Sequence, residues 1–281
     1  MHVYVDNINI KDEDTHFHFH IEHYLVTGVA DGHGGKDAST FCKNNINKVL
    51  KSELKNDTDM NRTLQKTFEI LHDKCLLFSN FSGTTLTVVV IDLKNKKYTC
   101  ANVGDSHALH VKKTSFMWIT TSHRLQDNSN ERTRLKSYIS YARGLDNYEY
   151  GPPRIYPGGL AMSRSIGDAD CKQSSCQPDI YEDFLDNEDT IVICTDGIWD
   201  FVNVNKLIKV VRNNYNPEFL CRMAVKNNTR DDATAMIVTT QNIKTSIHKN
   251  LFNFFSRNGS TSSLSSSEEE TSPVMIKVNV N

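Results

Sequence analysis

Val29 to Ser39 reads VADGHGGKDAS. An apolar run closes on an aspartate, continues with Gly-His, and places two more glycines before a segment of helical periodicity. A carboxylate at the mouth of a buried strand is costly unless a cation meets it. Gly34 and Gly35 let the backbone turn tightly and come close to whatever that cation carries. Alone, Asp-Gly is also a plain turn signal, so the reading depends on partners elsewhere.

Such partners recur at the ends of other apolar runs. LVTGVAD ends at Asp31, YTCANVGD at Asp105 and TIVICTD at Asp196. RDDATAMIV sets Asp231 and Asp232 directly before a strand-like run, and KDED sets Glu13 and Asp14 before another. Carboxylates gathered at strand ends, with no lysine or arginine beside most of them, point to a polyvalent cation. Oxygen ligands without a His/Cys pattern favour Mg2+ or Mn2+ over zinc. Two such ions can share a bridging carboxylate and clamp a water for in-line attack on phosphorus. The residues by themselves therefore suggest a two-metal hydrolase of phosphate esters.

The rest of the chain supplies a scaffold. Ala38, Phe41, Cys42, Ile46, Val49 and Leu50 recur at helical spacing, as do Leu64, Phe68, Leu71, Cys75 and Phe78. Two long antiparallel helices are expected, with their cysteines and phenylalanines in the core. Strand-like runs lie at YLVTGVAD, TTLTVVVIDL, KKYTCANVG, ALHVK, TIVICTD and ATAMIVTT. Strands dominate the centre and helices come in pairs, without strict βαβ alternation, so sheets covered by helices are expected. His16, His18, His20 and His23 punctuate THFHFHIEH. Alternation in a strand gives one solvated face, so they read as exposed residues and not as a second metal site.

Composition sets the limits. The 281 residues are 38% hydrophobic and 23% charged, enough apolar material for a sizeable core. A net charge of -2 offers no basic surface for nucleic acid. No apolar run approaches the roughly 20 residues of a membrane span, and MHVYVDNINIKDED lacks the apolar core of a signal peptide. The seven cysteines are scattered and never spaced Cys-x-x-Cys, so they read as reduced thiols of an intracellular protein. A cytoplasmic location is expected, with the nucleus as the alternative. The body is expected to span 1–242. In 243–281, Ile247, Leu251, Phe254 and Phe255 suggest a short amphipathic helix, and Ser260 to Pro273 has a disordered, Ser-rich and acidic composition.

Across residues 8–240 the chain resembles the metal-dependent, type 2C family of serine/threonine protein phosphatases. VADGHGG resembles that family's Asp-Gly-His-Gly-Gly, SGTTLTVVVI (82–91) its Ser-Gly-[ST]-Thr strand, and ANVGDSHAL (101–109) its Ala-Asn-x-Gly-Asp-Ser-Arg-Ala. ERTRL (131–135), GGLAMSRSIGD (158–168), CTDGIWDFV (194–202) and TRDDATAMIV follow, each similar to a family motif and all in the family's order. The resemblance implies an α-β-β-α sandwich, two central antiparallel sheets with paired helices outside.

By the same resemblance, Asp31 bridges two metals and the carbonyl of Gly32 ligates one of them. Asp196 and Asp231 complete the first metal's protein ligands; Glu13 ligates the second, and Asp14 holds metal-bound waters. His33 is similar to the histidine that protonates the leaving serine or threonine oxygen, a role contributing roughly 10²–10⁴-fold. Asp105 and Asp200, with Asp196, match carboxylates that hold a weaker third metal; Asp105 is equally readable as a turn residue in VGDSH. Arg164 and Asp168 read as an ion pair positioning the flap, and Trp199 as core.

The N-terminal segment departs from the pattern. An arginine that grips the substrate phosphate usually stands four residues before the glutamate of the Glu-Asp pair, and Asn9 stands there. The nearest cation is Lys11. A second register takes Asp6 and Asn7 as the pair and His2 at the arginine position; the first is preferred because it keeps both carboxylates. The family's Gly-Asp-Ser-Arg also becomes Gly104-Asp105-Ser106-His107. The function implied is hydrolysis of phosphoserine and phosphothreonine on proteins, by a monomer that needs neither nucleic acid nor membrane. Two rivals stand beside it: a weakly catalytic pseudophosphatase that scaffolds phosphoproteins, and a two-metal nuclease or phosphodiesterase.

Overall fold

The structure is a computed structural model and describes residues 1–78, 81–143, 148–214, 216–241 and 243. Two five-stranded antiparallel sheets form its centre. The first contains β1 (His2–Ile8), β8 (His107–Val111), β9 (Phe116–Trp118), β14 (Thr190–Cys194) and β15 (Ala233–Thr239), in the order β1-β15-β14-β8-β9. The second contains β2 (Thr15–Ile21), β3 (Tyr24–Ala30), β6 (Leu86–Asp92), β7 (Lys97–Val103) and β13 (Asp179–Phe184), in the order β13-β7-β6-β3-β2.

Alternation along each strand sorts the core into three layers. Leu25, Val29, Val89 and Ile91 of the second sheet meet Val3, Ile191, Ile193, Met236 and Val238 of the first. From the opposite face of the second sheet, Val26, Ala30, Val88 and Val90 pack under α1 (Asp37–Asn56) and α2 (Met60–Cys75). From the opposite face of the first, Val192, Cys194, Ala235 and Ile237 pack under α4 (Asp196–Trp199), α5 (Val204–Arg212) and α6 (Glu218–Lys226). Sheets buried on both faces need near-continuous apolar strands, which is why TVVVI and TIVIC carry so few polar residues. The result is the expected α-β-β-α sandwich.

Both expected long helices form. Asp59 caps α2, its carboxylate accepting from the amides of Asn61 and Arg62. That helix stops at Cys75, so Phe78 is a correction to the expected core. It is 51% exposed and lies against Phe41, ring centroids 4.8 Å apart. Strands β1, β9 and β13 and the hairpin of β10 (Ile139–Arg143) and β11 (Glu149–Ile155) carry no strong apolar signal. Their exposed positions dilute the periodicity. The amphipathic segment at 247–255 and the Ser-rich stretch lie outside the described residues, among which no helix is long and apolar enough to cross a membrane.

A third, three-stranded sheet positions the site. It joins β4 (Gly32–His33), β5 (Gly83–Thr84) and β12 (Ile166–Gly167), with His33 opposite Gly83 and Gly83 opposite Gly167. Three segments distant in sequence are thereby set side by side.

Candidate active site

Asp31 leaves β3 with its backbone pinned by the SGTT segment. Its carbonyl accepts from the Thr85 amide at 2.9 Å and from Thr84 Oγ1 at 2.9 Å, and its amide donates to Thr85 Oγ1 at 3.1 Å. Next to it, the Gly32 amide donates to the Glu13 carbonyl at 3.2 Å. A Cβ at Gly32 would meet that carbonyl at 2.7 Å and Ser39 Oγ at 2.9 Å, so only glycine fits where these segments cross.

The loop carrying Glu13 and Asp14 is folded around Asp232. This buried carboxylate accepts five backbone amides in succession: Ile10 (2.5 Å), Lys11 (2.7 Å), Asp12 (3.3 Å), Glu13 (2.6 Å) and Asp14 (3.0 Å). Burial works against its charge, but these amides hold its pKa below the ordinary value. Glu13 Oε1 accepts from the Gly35 amide at 2.7 Å. Asp14 Oδ2 accepts from Thr195 Oγ1 (2.8 Å) and Thr234 Oγ1 (2.7 Å). Asp6, by contrast, sits on β1 near Cys221, Glu218 and Arg222. The Glu13–Asp14 register is therefore the one that reaches the cleft. β1 ends at Ile8, and in the loop beyond it Lys11 Nζ lies 2.7 Å from Asp231 Oδ2.

Electrostatic strain marks the cleft. The Asp31 carboxyl is pushed well above the usual range by burial and by Asp14, Asp196, Asp105 and Asp231. Burial, with Asp232 and Asp231 nearby, raises Asp14 to about 6 against its threonine hydrogen bonds. Burial and Asp105 raise Asp196 to about 7, opposed by Arg124. Arg124 faces three carboxylates at once: Nε lies 2.6 Å from Asp105 Oδ2, Nη2 2.7 Å from Asp196 Oδ2 and 2.9 Å from Asp200 Oδ2, and Nη1 2.8 Å from Asp200 Oδ1. Among the described residues, no three acidic, His or Cys groups are gathered closely enough to hold an ion by themselves. Yet Asp14 Oδ1 and Asp105 Oδ1 are buried without a hydrogen-bond partner, and mutually repelling carboxylates line the cleft. That donor set fits hard divalent cations held by oxygen.

His33 stands at the edge of this group. Its Nε2 lies 2.8 Å from Asp168 Oδ1 and 3.0 Å from Oδ2, and Ser165 Oγ donates to Oδ2 at 2.5 Å. Burial opposes the imidazolium, but the Asp168 hydrogen bond outweighs it and raises the His33 pKa. A side chain at Gly83 would collide with the Asp168 carboxylate, so that strand position must be glycine. The expected Arg164–Asp168 pair does not form. Between them β12 carries the chain across the small sheet, and Arg164 instead bonds Glu131 Oε1 (2.7 Å) and Asp179 Oδ1 (2.8 Å). Burial works against the Glu131 charge, but Arg164 and Arg134 pull that carboxyl down to about 2.

Trp199 packs partly buried beside the first sheet's helices, its Nε1 donating to the Cys194 carbonyl at 2.7 Å. The histidines of β2 share one face, but His16 and His18 are half-buried, a correction to full exposure. Burial, with Lys43 nearby, takes His16 down to about 4. Sequence reasoning missed Asp232 as loop organiser, Arg124 and the His33–Asp168 pairing. An aspartate as the last residue before a fully buried strand is a usable signal for Asp232. Arg124 lies in the polar run TTSHRLQD and offers none.

The protein phosphatase 2C family model matches residues 7–242. A probable protein phosphatase 2C 15 of Arabidopsis thaliana is 33% identical over 220 residues, 74% of this chain and 50% of that protein. The chain spans about half the length of the curated relatives it matches. Among solved structures, a C. elegans sex determining protein superposes with a TM-score of 0.75 at 21% identity, covering 86% of this chain and 65% of that one. A serine-threonine phosphatase 2C from Toxoplasma gondii gives 0.68 at 19% identity, covering 84% and 93%. These structures share the fold, and the family model covers most of the sequence that builds it. The chain belongs to the protein phosphatase 2C family.

Proposed function

We propose that this chain hydrolyses phosphoserine and phosphothreonine on proteins with Mg2+ or Mn2+ as cofactor. The observation that carries the reading is a crowded carboxylate cleft, with buried partnerless oxygens on Asp14 and Asp105, beside an imidazole held by Asp168. Asp31, the Gly32 carbonyl, Asp196 and Asp231 would hold one cation and Glu13 with Asp31 a second, Asp14 orienting waters. When bound, the cations supply Lewis acidity to a phosphate and to an attacking water. His33 handles the leaving group. With Nε2 held by Asp168, Nδ1 is the nitrogen left to protonate the departing seryl or threonyl oxygen. Asp232 keeps Glu13 and Asp14 in register with β15. Phosphoproteins are the proposed substrates, the protein acting as a monomer in the cytoplasm or nucleus.

A second reading, a weak phosphatase that binds phosphoproteins as a scaffold, is favoured by Asn9, whose Oδ1 accepts from Asn7 Nδ2 at 2.7 Å. An amide there cannot grip a phosphate as a guanidinium does. Turnover of p-nitrophenyl phosphate with Mn2+, then of a phosphothreonine peptide and of a nucleic acid, tests the readings together. Peptide turnover lost in Asp196→Asn supports the phosphatase. Binding without turnover supports the scaffold, and cleavage of nucleic acid alone overturns both.

A further inference from the structure

The guanidinium of Arg124 is engaged at all three nitrogens, in four hydrogen bonds to Asp105, Asp196 and Asp200. Its backbone is fixed from both sides. The His123 amide donates to the Gly104 carbonyl (3.1 Å), and the Gly104 amide donates to His123 Nδ1 (3.0 Å), tying this loop to the residue before Asp105. The Leu125 amide donates to the Ala161 carbonyl (2.9 Å) and the Ser163 amide to the His123 carbonyl (2.9 Å), tying it to the segment that leads into β12. The side chain is therefore delivered to the carboxylates by a rigid loop. An arginine keeps its charge at any accessible pH, and its planar fork matches carboxylate geometry.

We infer that Arg124 is the resident cation of the Asp105–Asp196–Asp200 trio, so that a guanidinium holds the place where a further divalent ion would otherwise bind. An ion entering there would have to break the four hydrogen bonds and sit beside a positive charge that cannot be discharged. The trio still carries more negative charge than Arg124 neutralises, and Asp105 Oδ1, on a side chain only 7% exposed, is buried without a partner. Removing the guanidinium leaves three carboxylates that had shared one cation and are too far apart to hold an ion as they stand; drawing together around a hard cation, with waters completing its shell, would relieve their repulsion. Asp105 and Asp200 in this chain then serve to seat Arg124, and through it the loop that follows β9.

The inference rests on the metal-dependent reading only in its choice of ion, and its test counts bound metal. Mn2+ binding to the full chain is measured by electron paramagnetic resonance of the free ion and by calorimetry, without substrate. Arg124→Met should bind one Mn2+ more than the wild type, and the double variant Arg124→Met/Asp200→Asn should lose that extra ion. An equal count in wild type and Arg124→Met overturns the proposal, as does an extra ion that persists in the double variant. Should Arg124→Met fail to fold, Arg124→Gln serves the same comparison, because an amide can still donate to the carboxylates but brings no charge; an unchanged count there overturns it equally. Failure of the phosphatase reading looks different: no Mn2+-dependent turnover, with the one-ion difference intact.

Discussion

His33 is held through Nε2 by both carboxylate oxygens of Asp168, at 2.8 and 3.0 Å, across 135 residues of sequence. The pair fixes which face of the imidazole meets the cleft. Asp168→Asn should therefore lose much of the roughly 10²–10⁴-fold that a positioned general acid supplies on a phosphothreonine peptide. p-Nitrophenyl phosphate, whose leaving group needs no proton, should keep most of its rate. Equal losses on the two substrates would show that Asp168 supports the fold and not the proton.

Without metal, the cleft carboxylates repel one another. Asp31, Asp14 and Asp196 all have pKa values above the ordinary carboxylate range, Asp14 near 6 and Asp196 near 7. Raised values mean that the folded state holds these protons more tightly than the unfolded one. Their stabilising contribution is complete below the unfolded pKa and is lost as pH rises through the folded values. The lowered His16 and His107 act with the opposite sign over the same pH range, so the carboxylates are isolated by comparing the protein with and without Mg2+. Saturating Mg2+ should raise the melting temperature more at about pH 8 than at about pH 5; a rise no larger at about pH 8 would rule the argument out.

Asp31→Asn tests the same repulsion by mutation. It should abolish turnover and raise the metal-free melting temperature at neutral pH. A gain of about 1 kcal/mol corresponds to roughly 2–4 °C for a domain of this size. Retained Mg2+-dependent activity in the folded variant is the result that removes Asp31 from the centre.

Asp232→Ala leaves five backbone amides of the 10–14 loop without their acceptor. Hydrogen bonds to a charged group are worth about 1.5–3 kcal/mol each, and their loss is not additive. A loss above about 3 kcal/mol in denaturant unfolding is expected, together with weaker metal binding as Glu13 and Asp14 lose register. Asp232→Asn, which keeps one acceptor oxygen, should fall between. Wild-type stability in Asp232→Ala would mean that water replaces the clamp.

Asn9→Arg should restore a bidentate grip on a phosphate monoester. One charge-assisted hydrogen bond at about 1.5–3 kcal/mol predicts a roughly ten- to hundredfold rise in kcat/KM. The rise should shrink for diesters, which carry one charge fewer. No change on monoesters would assign the phosphate contact to another cation, Lys11 first.

The sandwich was legible because its strands are buried on both faces. Runs such as TIVIC and LTVVVID announce themselves, and the first helix pair shows clean periodicity. The edge strands β9 and β13 were silent because none of their residues is fully buried. Within the site, carboxylates at strand ends stood out through their cost. Their partners did not. Arg124 reaches Asp105 across 19 residues and Asp168 reaches His33 across 135, and such pairing is decided by loop geometry. Arg164 failed for the converse reason: a partner four residues away in sequence lies across a strand from it.

The strand β15 has a bearing on how the protein comes into being. It follows directly on Asp231 and Asp232 and runs in its sheet between β1 and β14, pairing His2 with Thr239 and Ile8 with Ala233. During synthesis β1 emerges first and stays without this partner until more than two hundred further residues have been made. The helix-covered second sheet, apart from β13, can assemble from residues 15–103 in the meantime, whereas pairings this distant in sequence form late. The cleft thus closes at the final folding event. A nascent or clipped chain lacking β15 and the aspartates before it has neither the Glu13–Asp14 loop in place nor Asp231, so the proposed centre would be complete only in a molecule whose fold is finished.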